Sequence, residues 1–462
     1  MFDPHVYVAR RNRLKEQMGS GVVLFLGNQD SPMNYPDNTY PFRQDSSFLY
    51  FFGLDEPGLA AMIDLDEGAE CILGDDVTIE DIIWMGPQPL LKDKAGHVGI
   101  STTYPTSKLE PTLKDVLKQG RKIHFLPQYR PENVLRIQRL LRIDAEDVQD
   151  NVSVELIKAV VEQRSIKSAD EIAEIESAIS ISRQMQLTAM RMSGPGVYER
   201  EVAGAMEGVA VSAGVRLAFP TIFSVHGETL HNHYHGNLMQ DGDIAVNDLG
   251  AESALHYSGD ITRTIPISGR FSQKQREVYE IVLAATDACI EAVKPGIEFR
   301  DVHRLAGRSL VSGLKGLGLV KGDVEEAVEA GVHTLFFQCG VGHMMGLDTH
   351  DMEPLGEDYV GYTDTIKRNP VFGWRSLRLG KALEPGFVIT VEPGIYFIPE
   401  LIDRWKAESK CSQYVEYDKL DAYRDFGGVR IEDDVLVTDT GYRILGPAIP
   451  RTIEEVEQAC SQ

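Results

Sequence analysis

Residues 247–266, NDLGAESALHYSGDITRTIP, place the tightest constraint on how this chain folds. Asp248 closes the apolar run DIAVND, and Asp260 opens a second run, DITRTIPI, rich in the β-branched residues that strands favour. A hairpin centred near Ala254 sets positions 248 and 260 opposite each other. Directly opposed side chains on antiparallel strands have Cβ atoms roughly 5 Å apart, and like charges so placed repel. Two carboxylates tipping apolar strands at that spacing call for a positive charge between them.

The pattern returns near the C-terminus. FVITVEPG carries Glu392 and GGVRIEDDVLVT carries Glu432, again beside apolar strand-like runs. DGDIAVND and EPGFVITVE share the order turn, apolar strand, acid, which hints at an internal duplication. Histidines in CGVGHMMGLDTHDM add nitrogen donors to the four acids. Such a mixed set suits hard or borderline divalent ions such as Mn²⁺, Fe²⁺, Co²⁺ or Zn²⁺. Carboxylates that bridge two ions build a hydrolytic site in which a shared hydroxide attacks. Arg430 and Glu432 differ by two positions, so on a strand they share a face and the guanidinium can brace the acids.

At 462 residues the chain exceeds one ordinary core, so two domains are expected. Residues 1–150 alternate strand-like runs (GVVLFLGN, SFLYFFGL, LAAMIDL, ECILG, KIHFLP) with helical stretches such as PENVLRIQRLLR, the pattern of an α/β domain. The acidic break DAEDVQDN, 144–151, marks the boundary, leaving 151–462 as the second domain. There Ser168 with Glu171, and Ser272 in the same role, predict capped amphipathic helices. Segments 351–382 and 398–427 read as polar, irregular insertions.

A net charge of −24 argues against partners that need a basic footprint, namely nucleic acid and anionic membranes. Five scattered cysteines without CxxC spacing point to a reducing compartment. No apolar run approaches the ~20 residues that span a bilayer, and the N-terminus lacks a signal-peptide core, so the expected location is the cytoplasm.

In order along the chain, DLGAESALHYSGDITRTIP, GVGHMMGLDTH, ITVEPGIY and GVRIEDD resemble the five-ligand signature of the pita-bread metallopeptidases. YPFRQDSSFLYFFGLDEPG, residues 40–58, resembles the non-catalytic domain of the proline-specific aminopeptidase P group. The resemblance implies an N-terminal α/β domain followed by a pita-bread catalytic domain. It implies that Asp248 and Asp260 bind a first metal, that Asp260 and Glu432 bridge two ions, and that His343 and Glu392 complete the second site. His231 matches a substrate-contacting histidine, His350 one that stabilises the tetrahedral intermediate, and Arg430 an arginine anchoring the bridging acids. Glu392 is the expected proton shuttle, and Tyr396 a substrate-pocket residue. Two divalent ions are implied, commonly Mn²⁺, with Zn²⁺, Co²⁺ or Fe²⁺ as alternatives. The implied substrates are peptides with proline in second place, and the implied assembly is a homodimer or tetramer. A dipeptide-restricted Xaa-Pro dipeptidase and a metal-free binding protein of the same fold are the rival readings. The twelve-residue step from Asp248 to Asp260 is one longer than many members show, implying one extra loop residue.

Overall fold

The computed structural model describes residues 1–461. Two compact units emerge: Met1–Arg164 with Glu353–Tyr359, and Ser165–Met352 with the chain from Val360 onward. Both mix helix and sheet.

The first unit is built on β1 (Val22–Leu26), β2 (Ala60–Asp64), β3 (Glu70–Leu73), β4 (Thr103–Tyr104) and β5 (Ile123–His124), in the order β4-β3-β2-β1-β5. The pairs β1–β2 and β2–β3 are antiparallel, whereas β1–β5 and β3–β4 are parallel. Leu24, Leu26, Met62 and Leu73 from the sheet meet Leu113, Ile137 and Leu140 from two helices in one core.

Two expectations change here. SFLYFFGL is not a strand; Ser46–Phe52 is a helix, capped by Asp45, which accepts from the Phe48 N–H, and ended by Gly53 at φ +60. Every residue of that helix is buried, so its apolar run carries no period that separates helix from strand. The domain boundary also moves from residue 150 to Arg164. Helix Val154–Ser165 buries Leu156, Ile157 and Val160 and is tied to the first unit by Gly19 N–H to Glu155 (3.0 Å) and Arg13 to Glu162 (3.2 Å). The polar break precedes a helix that still belongs to the earlier core.

The second unit repeats a plan. Helices Ala169–Met192 and Glu199–Ser212 are followed by the antiparallel sheet β6 (Ile222–Ser224), β7 (Ile244–Leu249) and β8 (Ile261–Pro266). Helices Gln273–Ala292 and Phe299–Gly316 precede β9 (Val388–Val391), β10 (Gly394–Tyr396), β11 (Gly428–Arg430), β12 (Asp433–Val437) and β13 (Tyr442–Ile444). These form a β13-β12-β9 sheet and a β10–β11 pair, antiparallel throughout. Both leading helices open with complete capping boxes, Ser168 with Glu171 and Ser272 with Gln275. The turns before β7 and β9 place Gly242 and Gly386 at φ +91 and +90, a matched pair that only glycine adopts freely. The shared turn–strand–acid phrase is thus carried by equivalent positions in two similar halves. Segment 398–427 is less irregular than expected, since Pro399–Ala407 is helical. No helix among the described residues is long and apolar enough to cross a membrane.

The β7–β8 hairpin pivots one residue later than the sequence suggests. Asp248 pairs with Thr262 and Leu249 with Ile261, so the turn centres on Leu255 and Asp260 lies diagonal to Asp248 on the same face. The cause is the turn itself: Ser253 N–H donates to Tyr257 O (2.7 Å), and His256 sits at φ +67. Beyond Asp248 the two strands press together so closely that a Cβ on Gly250 would lie 1.8 Å from Gly259 O. Replacing Gly250 with Ala should therefore cost about 1–3 kcal/mol through forced strand separation. Calorimetry should show a lowered midpoint for G250A, while alanine at the open Gly204 leaves it near wild type.

Candidate metal centre

The four acids stand where strands end or break. Asp248 is the penultimate residue of β7, Asp260 immediately precedes β8, Glu392 lies between β9 and β10, and Glu432 lies between β11 and β12. His343 comes from an irregular segment docked along β9: Thr390 N–H donates to His343 O (3.0 Å), His343 N–H to Thr390 Oγ1 (3.1 Å), and Glu392 N–H to Val341 O (2.9 Å). Gly342 makes this docking possible, since a Cβ there would sit 2.0 Å from Thr390 O. Glu432 N–H donates to Thr262 O (3.1 Å), which joins the second half's acid to the first half's strand.

Asp248, Asp260, His343 and Glu432 are buried, and Glu392 is partly so. Ligand atoms of Asp260, His343 and Glu432 all lie within 4.8 Å of one another. His343 Nδ1 is 3.0 Å from Met344 O, a contact that places the proton on Nδ1. Its Nε2 then turns a lone pair toward Asp260 Oδ2 at 3.4 Å and Glu392 Oε1 at 3.6 Å. Both gaps exceed the 2.7–2.9 Å or so of a charge-assisted hydrogen bond. Oδ1 of Asp248 and Oδ1 of Asp260 are buried with no hydrogen-bond partner among the described residues. A lone pair facing carboxylates beside orphaned carboxylate oxygens fits a divalent cation of hard or borderline character.

Electrostatics agree. Burial, then the charges of Asp248, Asp434 and Glu392, push the Asp260 carboxyl well above its ordinary value. Burial, then Asp260 and Glu392, do the same to Glu432. Burial also raises Glu392 and holds the His343 imidazole in its neutral form. The compensating cation within the protein is Arg430, 3% exposed, whose Nη2 meets Asp248 Oδ2 at 2.6 Å. Its Nε donates to Thr262 Oγ1 (3.1 Å), and that hydroxyl donates to Glu432 Oε2 (2.6 Å). One guanidinium therefore positions an acid from each half.

His350 stacks edge-on to His343 with ring centroids 4.5 Å apart. His231 lies at the exposed side of the cluster; partial desolvation and then the Arg430 charge lower its imidazole pKa, against a raising influence from Asp248. His235 turns instead to Thr221 O (3.2 Å). Tyr396, expected in the substrate pocket, is fully buried and its hydroxyl accepts from Arg430 Nη1 (2.8 Å), so it stands behind the arginine. The alternation of β10 against β11 explains this, since Gly394 pairs with Arg430 and Tyr396 follows on the same face.

Two supporting residues, Thr262 and Arg378, escaped the sequence reading, whereas Asp434 was read as a supporting or exposed neighbour of the ligands. Thr262 is the hydroxyl relay, and strand parity with Asp260 could have exposed it. Asp434 is fully buried and accepts the Asp260 backbone N–H (2.9 Å). Arg378 adds a second positive charge that acts on His231, His343 and Glu392. It lies within segment 351–382, which reads as a polar insertion, so no local signal marks it.

Residues 173–439 match the model of metallopeptidase family M24, and residues 7–124 match the aminopeptidase P N-terminal domain. The chain belongs to metallopeptidase family M24. A human Xaa-Pro dipeptidase is 31% identical over 98% of this chain and 93% of its own length. A probable Xaa-Pro aminopeptidase of Uncinocarpus reesii is likewise 31% identical, covering 98% and 93%. The structure of Pseudomonas aeruginosa aminopeptidase PepP superposes with a TM-score of 0.82 at 26% identity, covering all of this chain and 98% of that one. This M24 chain is accordingly a metal-dependent peptidase of the Xaa-Pro aminopeptidase and dipeptidase group.

Removing metal from an M24 site of this kind has a signed consequence. Asp260 and Glu432 have folded-state pKa values above their ordinary 3.8 and 4.5. Without metal, the folded state keeps its protons longer than the unfolded chain, so stability is full below those ordinary values and falls as pH rises toward the folded ones. Chelator-treated protein should therefore lose thermal midpoint as pH rises above about 5, and metal-loaded protein should lose far less. Parallel calorimetric scans across that range test this.

Proposed function

We propose that the chain is an Xaa-Pro aminopeptidase that releases an N-terminal residue preceding proline, using two divalent ions held by Asp248, Asp260, His343, Glu392 and Glu432. The observation that carries this reading is the Nε2 lone pair of His343 set 3.4 Å from Asp260 and 3.6 Å from Glu392. The carboxylate-rich donor set favours manganese, with zinc, cobalt or iron as substitutes. When bound, such ions polarise the scissile carbonyl and bring a water within reach of deprotonation near neutral pH.

The protein's own groups do the rest. Arg430 and Thr262 hold Asp248 and Glu432 in place, and Met344 O fixes the His343 tautomer. Glu392, the least buried of the four acids, takes a proton from water and hands it to the departing prolyl nitrogen. An amine leaves far more readily than its anion, so that nitrogen must gain a proton as the bond breaks. His350 and His231, on the open side, donate N–H groups to the carbonyl oxygen as charge develops and to the substrate's flanking backbone.

An Xaa-Pro dipeptidase is the second reading, supported by the extensive similarity to the human dipeptidase. A homodimer or tetramer belongs to either reading; Ile79, Ile83 and Trp84, all highly exposed on helix Ile79–Met85, offer an apolar surface for it.

Manganese-loaded protein should cleave Arg-Pro-Pro and show weak turnover of Gly-Pro. Turnover confined to Gly-Pro would establish the dipeptidase instead. In H350A, kcat should fall by about 10²–10³ with metal content unchanged, and in D260N bound metal itself should be lost. Rate assays paired with elemental analysis distinguish the two effects.

A further inference from the structure

A second cavity, of about 560 Å³, lies behind strand β8, away from the carboxylate cluster. Its walls come from helix Ala169–Met192, from β8, from the Ile444–Arg451 segment and from the C-terminal helix Ile453–Cys460. Strand alternation sets the two sites back to back: Asp260 and Thr262 face the metal centre, whereas Ile261 and Arg263 line this cavity.

In a chain of net charge −24, the cavity is lined by four arginines. Two are spent on structure. Arg263 donates to Pro450 O (2.8 Å), Thr262 O (2.9 Å), Glu432 O (2.7 Å) and Asp433 Oδ1 (2.7 Å). Arg451 is paired with Asp433 (3.2 Å) and Asp287. The other acid in the lining, Glu455, accepts the backbone N–H groups of Arg451 and Thr452, both at 3.1 Å, as a helix cap.

Arg183 and Arg191 are different. They stand two helical turns apart on one face, with Leu187 between them. Arg183 uses Nε on Ala448 O (2.9 Å) and has no carboxylate partner among the described residues. Arg191 is exposed and makes no hydrogen bond or ion pair among them. Two guanidiniums without counter-ions, beside an apolar wall that includes Leu187, Ile261 and Ile449, describe a receptor for a doubly charged head with a hydrocarbon body.

We propose that this cavity binds an organic phosphate monoester, the phosphate held by Arg183 and Arg191 and the apolar body laid against Leu187 and Ile261. The site shares a strand with the metal centre but no side chain, so it stands whether or not the peptide specificity proposed above is right.

Titration calorimetry of the metal-loaded, full-length protein with hexyl phosphate tests it. One site per chain is expected, with affinity at least about tenfold weaker in R183Q/R191Q. It should also weaken markedly as NaCl rises from roughly 20 to 200 mM, because the contact is ionic and near the surface. R191Q alone, altering an exposed side chain without partners, should lower affinity while leaving the thermal midpoint unchanged, which separates lost binding from lost fold. Identical isotherms for wild type and both variants would assign the binding to the metal centre and overturn the proposal. Absence of binding to wild type at about 10 mM ligand would overturn it as well.

Discussion

Repulsion among Asp248, Asp260, Glu392 and Glu432 is the constraint around which the second unit is organised. Bringing anions out of water costs several kcal/mol each, and their mutual approach adds to it. Arg430 offsets part of that cost through Asp248 at 2.6 Å and through the Thr262 hydroxyl that reaches Glu432. Even with the Arg378 charge acting on Glu392, two guanidiniums cannot balance four carboxylates. The remaining imbalance appears as the raised pKa values of Asp260, Glu392 and Glu432, all governed by burial first. A fold that retains such a cluster stores affinity for cations.

The repeated plan of the unit explains how the cluster forms. Each half sends a helix pair and then antiparallel strands, and each half contributes two acids where strands end or break. Backbone N–H donors stitch the halves together at the cluster itself, Glu432 N–H to Thr262 O and Arg430 N–H to the Thr264 side-chain Oγ1 (3.1 Å). Glycines set the closest approaches: Gly250 against Gly259 in the hairpin, and Gly342 against Thr390 beneath His343. The backbones that carry the clustered acids and His343 are therefore located by close main-chain packing.

Strand β8 has two working faces. One presents Asp260 and Thr262 to the acids; the other presents Ile261 and Arg263 to the arginine-lined cavity, where Arg263 also grips Glu432 O. The same alternation isolates the two sites chemically although both rest on one short run of backbone.

Much of this was legible in the chain's residues alone. The acid-tipped apolar runs, the histidine-bearing glycine segment and the two capping boxes are local patterns; they marked Asp248, Asp260, Glu392 and Glu432, and the family resemblance singled out His343 to join them. The structure brings Asp260, His343 and Glu432 within 4.8 Å of one another. Other features had no local mark. The helix Ser46–Phe52 is buried on all sides, so its period is erased. The hairpin's pivot at Leu255 follows from the turn closed by Ser253 and Tyr257. Tyr396 went behind Arg430, and Arg378 came into the site's field, through pairings between segments far apart in the chain. Composition and spacing determined which residues carry charge and which strands they tip. Only tertiary packing decided which way each side chain faces and which distant charge answers it, because those depend on contacts that no neighbouring residue encodes.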